Sequence, residues 1–248
     1  MGGAILEALL GGEGEVLAVV RSPERAARLR EQHGGRVEVV TAAEAAHRAD
    51  LHLLVVKPYG VADLLEEIGP SLRPGSVVLS LALGVTLADL AAGLPEGTAA
   101  IRGMPNTPAR VGRGMTVLSP ADTVTEEQLR TAREALAPTG ETLVLPESQQ
   151  DVATALSGSA PAYFYLVVEA MVDAGVARGL TREHARTLAS SAALGAGAML
   201  AETGEEPAAL RAQVTSPGGS TAAALARLEA HGLRHALADA VDTCADRS

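Results

Sequence analysis

Leu51-His52-Leu53-Leu54-Val55-Val56-Lys57-Pro58 is the stretch on which the fold turns. The run 51–56 is apolar except at His52. A half-exposed strand would alternate, whereas a continuous apolar run belongs to a strand covered on both faces, as in a parallel sheet. Pro58 ends the strand, because proline has no N–H for a ladder. Lys57 is thereby left at the strand's carboxyl end, the edge outside which open α/β sheets bind ligands. Similar runs lie at 16–20, 37–40, 77–80, 99–102, 115–118 and 142–145, with helical patterns between several of them. Ser22-Pro23 supplies an N-cap followed by proline at the first helical position. Thr41 with Glu44, and Thr125 with Gln128, have capping-box spacing. This alternation predicts an α/β domain over residues 1–145, built on a mostly parallel sheet with crossover helices.

Residues 146–248 carry no strand pattern. Helical stretches run through 147–178, 182–203 and 218–246, with a shorter one near 206–213. Leu188, Ala189, Ala192, Ala193, Gly195, Ala196, Ala198 and Met199 make one helix small and apolar nearly all round, so it must be buried. A domain of about a hundred residues has little room to bury it alone. A partner subunit is therefore expected; a tightly packed intradomain helix is the alternative.

Composition excludes several classes. Of 248 residues 47% are apolar and 20% charged, which suits a folded chain. The net charge of −10 disfavours nucleic acid and anionic membranes. One cysteine, Cys244, excludes an internal disulfide framework and a thiolate metal cluster. The six histidines are scattered without partners at ligand spacing, so no metal site is expected. No run reaches the ~18 uninterrupted apolar residues of a spanning helix. No secretory segment opens the chain. The expectation is a cytoplasmic protein that binds neither membrane nor nucleic acid.

A dinucleotide-binding unit begins with a strand, then G-x-G-x-x-G, then a helix whose N-terminus receives the pyrophosphate. Here Met1-Gly2-Gly3 runs directly into an apolar helical pattern, and Gly2 stands where the last of those glycines would. The second strand, 16–20, ends at Arg21-Ser22-Pro23-Glu24-Arg25 with no carboxylate closing it. A carboxylate there would hold a ribose 2′-hydroxyl. Arg21, Ser22 and Arg25 would instead accept a 2′-phosphate. This favours NADPH, with NADH as the alternative.

Further motifs follow strands. Leu83-Gly84-Val85-Thr86 is a glycine turn with a helix cap, and Met104-Pro105-Asn106-Thr107-Pro108 restrains an amide and a hydroxyl between two prolines. Thr215-Ser216-Pro217-Gly218-Gly219-Ser220-Thr221 gathers hydroxyls and glycine N–H groups at a helix start, a prepared anion site. With few donors and no lysine, it suits a small carboxylate better than a polyphosphate. Leu156-Ser157-Gly158-Ser159-Ala160-Pro161 does not match a nucleophile elbow, which argues against a hydrolase.

In this order the chain resembles pyrroline-5-carboxylate reductase over essentially its whole length. The resemblance rests on Val-Lys-Pro at 56–58, Gly-Val-Thr at 84–86, Met-Pro-Asn-Thr-Pro at 104–108 and Ala-Leu-Ser-Gly-Ser at 155–159 with Pro161-Ala162-Tyr163. It is completed by the 215–221 segment, extended through Ala224, Leu225, Leu228 and Glu229. It implies a Rossmann-type domain followed by an all-helical dimerisation domain. It also implies hydride transfer from NAD(P)H to the C=N carbon of 1-pyrroline-5-carboxylate, giving L-proline. Gly2, Arg21, Ser22, Arg25, Val56, Lys57, Pro58, Leu83 and Asn106 would serve the cofactor, Asn106 near the nicotinamide. Thr215, Ser216, Gly218, Gly219 and Ser220 would hold the substrate, with Thr221 reaching the imine nitrogen as the catalytic hydroxyl. The implied assembly is a homodimer through the helical domain, extended in larger rings to a decamer of dimers.

Two departures stand out. The first strand and earlier glycines are missing, which places the expected start roughly a dozen residues upstream, leaves two strand edges without a partner and thins the pyrophosphate cradle. Leu83 stands where the family usually has alanine. A hydroxyacid dehydrogenase of the 6-phosphogluconate type is a rival, but it normally uses a lysine on the interdomain helix and 147–178 holds none. A non-catalytic helical oligomer, or a fragment without cofactor binding, is the alternative outside the enzymes.

Overall fold

A computed structural model describes residues 2–12 and 14–247; Met1, part of the glycine reading above, lies outside them. The elements alternate as α1 (Gly2–Leu9), β1 (Leu17–Ala18), α2 (Pro23–His33), β2 (Glu38–Val39), α3 (Ala42–Arg48), β3 (Leu51–Leu54), α4 (Val61–Ile68), β4 (Val77–Ser80) and α5 (Leu87–Gly93). Then come β5 (Ala99–Pro105), β6 (Gly114–Pro120), α6 (Glu126–Leu136) and β7 (Gly140–Val144). Helices alone follow: α7 (Gln150–Ala153), a π-helical turn at Thr154–Gly158, α8 (Ala160–Ala177), α9 (Arg182–Thr203), α10 (Pro207–Gln213), α11 (Ser220–Ala230) and α12 (Leu233–Ala245). All seven expected strands form. The expected helix over 218–246 is two helices, because Gly232 turns the chain at a φ of +74°.

β1 and β2 pair in parallel as a two-stranded sheet. β3-β4-β5-β6-β7 form a second sheet, parallel except between β5 and β6. Among the described residues β1 pairs only with β2, and β3 only with β4, so each has an edge without a strand partner. The five-stranded sheet is covered on both faces, as its continuous apolar runs require. On one face Leu54, Val78 and Ala100 meet Leu65, Ile68 and Leu90. On the other Val77, Leu79, Ile101 and Leu118 meet Ile5, Ala132 and Leu136. The chosen caps form: Ser22 accepts from the Arg25 N–H, Thr41 from Glu44, and Thr125 with Gln128 makes a reciprocal box.

The chain divides into two compact units, Met1–Gly158 with Ala245–Ser248, and Ser159–Cys244. Composition placed the step at 145/146. Packing places it later, because 147–158 lies against the sheet: Gln150 is fully buried and donates to the Ser119 hydroxyl at 2.8 Å. In the second unit α8 and α9 pack through Val172, Ala185 and Ala189. Phe164, Leu166, Leu188 and Leu194 are exposed, at 61–76% of their surface. The small apolar helix is thus not buried within its own unit, and the intradomain alternative fails for it. The helical stretch Glu147–Ala177, although acidic residues interrupt it, is long and apolar enough on average to cross a membrane by length and composition alone.

His52 is buried on β3 with no partner for its Nε2. Burial, helped by the nearby Arg73 cation, holds its pKa below the ordinary 6.5, so the fold favours the neutral imidazole. Below pH 6.5 the unfolded chain takes up a proton that the folded chain resists, so stability falls with pH. Thermal melts across pH 7.5 to 5 should show a steeper acid loss for the native chain than for His52→Leu. Parallel curves would contradict this origin.

Candidate functional site

The first unit gathers its candidate residues at the carboxyl ends of parallel strands. Gly2 opens α1 against β3: a Cβ there would meet Val55 Cγ1 at 3.5 Å, an ordinary contact. The end of β1 meets the turn after β3, since the Arg21 guanidinium lies 4.0 Å from where a Cβ on Gly60 would sit. Val56 packs on the core, while Lys57 and Pro58 are exposed. Leu83 is exposed in the turn after β4. Among the described residues no ion pair engages Arg21, Arg25 or Lys57, so three cations stand unneutralised at this edge. That donor set suits an anionic cofactor with its phosphates at the start of α1 and beside Ser22.

One residue here was missed from sequence. Ser22, Glu24, Arg25 and Arg28 of α2 and Gly3 of α1 line an open cleft of about 440 Å³. The absence of a carboxylate at the strand end had spoken for a 2′-phosphate. Yet the Ser22 cap folds Glu24 back, and the Ser22 hydroxyl donates to the Glu24 carboxylate. That bond, with backbone N–H help, holds Glu24 below the ordinary carboxylate value. The cleft therefore offers cations together with two carboxylates, Glu24 and Glu7. A larger open groove, about 500 Å³, lies beside α6 and β7 and holds none of the candidate residues.

Asn106 ends β5 in a different role from a free amide. Its Oδ1 accepts the Met115 N–H at 3.0 Å, and its Nδ2 donates to the Ser157 carbonyl at 3.1 Å and hydroxyl at 3.4 Å. It is 9% exposed. The amide clamps the π-helical turn Thr154–Gly158 to the sheet, and both its donors are spent within the protein. It can border a cofactor, but it has little hydrogen-bonding capacity left to give one.

In the second unit, residues 215–221 join α10 to α11. The Thr215 hydroxyl donates to the Arg211 carbonyl at 2.6 Å and closes α10, so it is not available as a donor. Gly218 turns with a φ of +72°. A Cβ on Gly219 would lie 2.5 Å from Ser216 Oγ, so a larger residue there would turn that hydroxyl aside. No side chain caps α11 at Gly219, and Ala223 N makes the first bond back, to the Gly219 carbonyl. The N–H groups of Ser220, Thr221 and Ala222 are left to a ligand or solvent. The Ser216, Ser220 and Thr221 side chains are exposed beside them. Among the described residues no three His, Cys, Asp or Glu side chains assemble as a metal set.

Residues 1–84 match the family described as NADP oxidoreductase, coenzyme F420-dependent. With the strand-edge cations, this defines the class: an oxidoreductase with a Rossmann-type nucleotide domain. Residues 147–248 match the family described as pyrroline-5-carboxylate reductase dimerisation. A pyrroline-5-carboxylate reductase of Corynebacterium melassecola is 40% identical, the alignment covering 100% of this chain and 95% of the relative. The solved structure of the reductase from Coxiella burnetii superposes with a TM-score of 0.92 at 32% identity, covering 99% of this chain and 94% of that one. That from Plasmodium falciparum, with NADP bound, gives 0.84 at 25% identity, covering 100% and 92%. The chain belongs to the pyrroline-5-carboxylate reductases, which reduce pyrroline-5-carboxylate to proline.

The carboxylate of Glu24 disfavours a neighbouring phosphate and favours a ribose hydroxyl. Glu24→Gln should therefore raise the preference for NADPH over NADH about threefold, the size of one exposed charge interaction. The ratio of kcat/KM for the two cofactors measures it, and an unchanged ratio would remove Glu24 from the cleft's selectivity.

Proposed function

We propose that the chain uses NADPH, with NADH as a poorer substitute, and that the residues of the two units divide the work. The reading is supported by an unneutralised cationic strand edge in one unit and, independently, by an uncapped helix N-terminus in the other. The nicotinamide, when bound, supplies hydride to the C=N carbon and leaves oxidised. Gly2, at the start of α1, leaves the helix N–H groups open to the pyrophosphate, and Arg21 and Arg25 take the 2′-phosphate, joined by the Ser22 hydroxyl once it turns from Glu24. Val56, Lys57 and Pro58 flank the nucleoside. Leu83 narrows the nicotinamide side, and Asn106 shapes that end through the backbone it holds.

Ser216, Gly218, Gly219 and Ser220 hold the substrate carboxylate at the N-terminus of α11, where dipole and N–H groups favour a negative charge. Thr215 fixes the loop by closing α10. The imine nitrogen needs a proton as its carbon gains hydride, and the exposed Thr221 hydroxyl is the donor, refilled from water. The substrate carboxylate stands close to the developing charge, so no histidine is called on.

The exposed apolar faces of α8 and α9 fit a second copy of the chain better than a lipid bilayer, because the same residues match a dimerisation family. The dimer is the unit from which larger rings, a decamer of dimers among them, are built. The protein is cytoplasmic in this reading and binds neither nucleic acid nor membrane.

Loss of NADPH absorbance on adding pyrroline-5-carboxylate tests the activity directly. Thr221→Val should lower kcat about a hundredfold, the usual loss for a positioned proton donor, and leave NADPH affinity unaltered. A parallel loss of NADPH binding would refute the assignment of Thr221.

A further inference from the structure

Arg102 is charged, in mid-strand, and 8% exposed. It lies on β5 between two fully buried serines, Ser80 on β4 and Ser119 on β6, which are its register partners. These small side chains leave room for a guanidinium on the sheet face. A buried cation persists only if it is paired. Its partners come from far along the chain: Nη1 donates to Glu147 Oε1 at 3.2 Å and Nη2 to Asp151 Oδ1 at 3.3 Å.

Glu147 has a second donor. The same Oε1 accepts the Leu87 N–H at 2.7 Å, at the first residue of α5. The Asp89 N–H is met by Thr86 Oγ1 at 3.1 Å. α5 spans only Leu87–Gly93; its start is held by the reciprocal Thr86–Asp89 capping box, by Val85, Leu87 and Leu90 in the core and, from far along the chain, by Glu147 on the Leu87 N–H. The turn that leads into it is Leu83-Gly84-Val85-Thr86, at the carboxyl edge of β4. The side chain of Glu147 is 30% exposed, so without Arg102 it can swing to water. The Leu87 N–H would then lose its acceptor.

We propose that Arg102 is a positioning residue: by holding Glu147 on the Leu87 N–H it fixes the Leu83–Thr86 turn against which the cofactor binds. Buried ion pairs do little for stability compared with an apolar replacement, and this one is retained for the loop geometry it specifies. The inference rests on the reading that this turn borders the cofactor. In this role Arg102 need touch neither cofactor nor substrate.

The test uses the full-length enzyme, with NADPH affinity from fluorescence titration and steady-state constants for both substrates. Arg102→Met and Glu147→Leu should each weaken NADPH binding roughly five- to tenfold, about the net worth of one hydrogen bond. The double variant should be no worse than either single one, because both act through one bond. Arg102→Lys should recover part of the loss, and KM for pyrroline-5-carboxylate should stay within about twofold. Wild-type NADPH affinity in folded Arg102→Met, or additive losses in the double variant, would overturn the proposal. Equal losses in kcat and in both affinities would do the same, marking a merely structural role. If Arg102→Met does not fold, Glu147→Leu, whose side chain is partly exposed, carries the test alone. Leu83→Asp separates the two readings. If it weakens NADPH binding and Arg102→Met does not, the positioning role fails; if neither does, the placement of the turn beside the cofactor fails as well.

Discussion

One face of β5 organises the first unit. Residues alternate along a strand, and every second side chain from Ala100 onward has a distinct task. Ala100 joins the core below the helices. Arg102 takes Glu147 and Asp151. Met104 lies where a Cβ on Gly158 would come within 2.7 Å of its Cε. Asn106 binds Ser157. The segment 147–158 is thus laid along the strand by three successive contacts. A π turn falls within it at Thr154–Gly158. Such a turn holds one more residue than an α turn and takes carbonyls out of the regular ladder. Here the Ser157 carbonyl receives the Asn106 amide. The same strand face therefore sets the phase in which the chain leaves the sheet.

Burying a guanidinium, an amide and a glutamine on one sheet face is costly unless each is satisfied. The Arg102 donors and the Asn106 amide are. Gln150 donates to Ser119 and to the Val117 carbonyl, yet its Oε1 has no protein partner. A buried water with a second acceptor would complete it. A polar layer of this kind tolerates few arrangements. It fixes geometry where an apolar layer would only add stability, and the strand ends beside it carry the turns at the carboxyl edge of the sheet.

Legibility followed the range of the interactions. The seven strands were visible as short apolar runs, which are buried in β3 to β6 and partly exposed in β1, β2 and β7. The caps at Ser22, Thr86 and Thr125 were visible because partners lie within three residues. The 215–221 loop was visible for the same local reason. Arg102 was read as the end of a strand, although β5 runs on to Pro105, because a charge usually marks an edge. Its partners stand 45 and 49 residues away, and no local pattern announces them. Asn106 was legible as important but not in its role, since the amide's direction depends on β6 and on the π turn. Glu24 was overlooked because only the cap geometry turns it toward Ser22.

The helical unit poses a different constraint. Its own buried apolar side chains are Val172, Ala185 and Ala189, with Val168 against them. A unit spanning Ser159–Cys244 needs far more apolar burial to offset the entropy of ordering it. The missing burial is on the exposed faces of α8 and α9, within the segment that matches a dimerisation family. Association is then part of folding, not an addition to it. The loop at 215–221 gets its shape from the ends of α10 and α11 and has no core of its own. An anion site made of helix N–H groups is only as well formed as the helix that presents them. The 215–221 loop, proposed above to hold the substrate, is therefore coupled to subunit contact through the packing of its own unit, and dissociation would blur it.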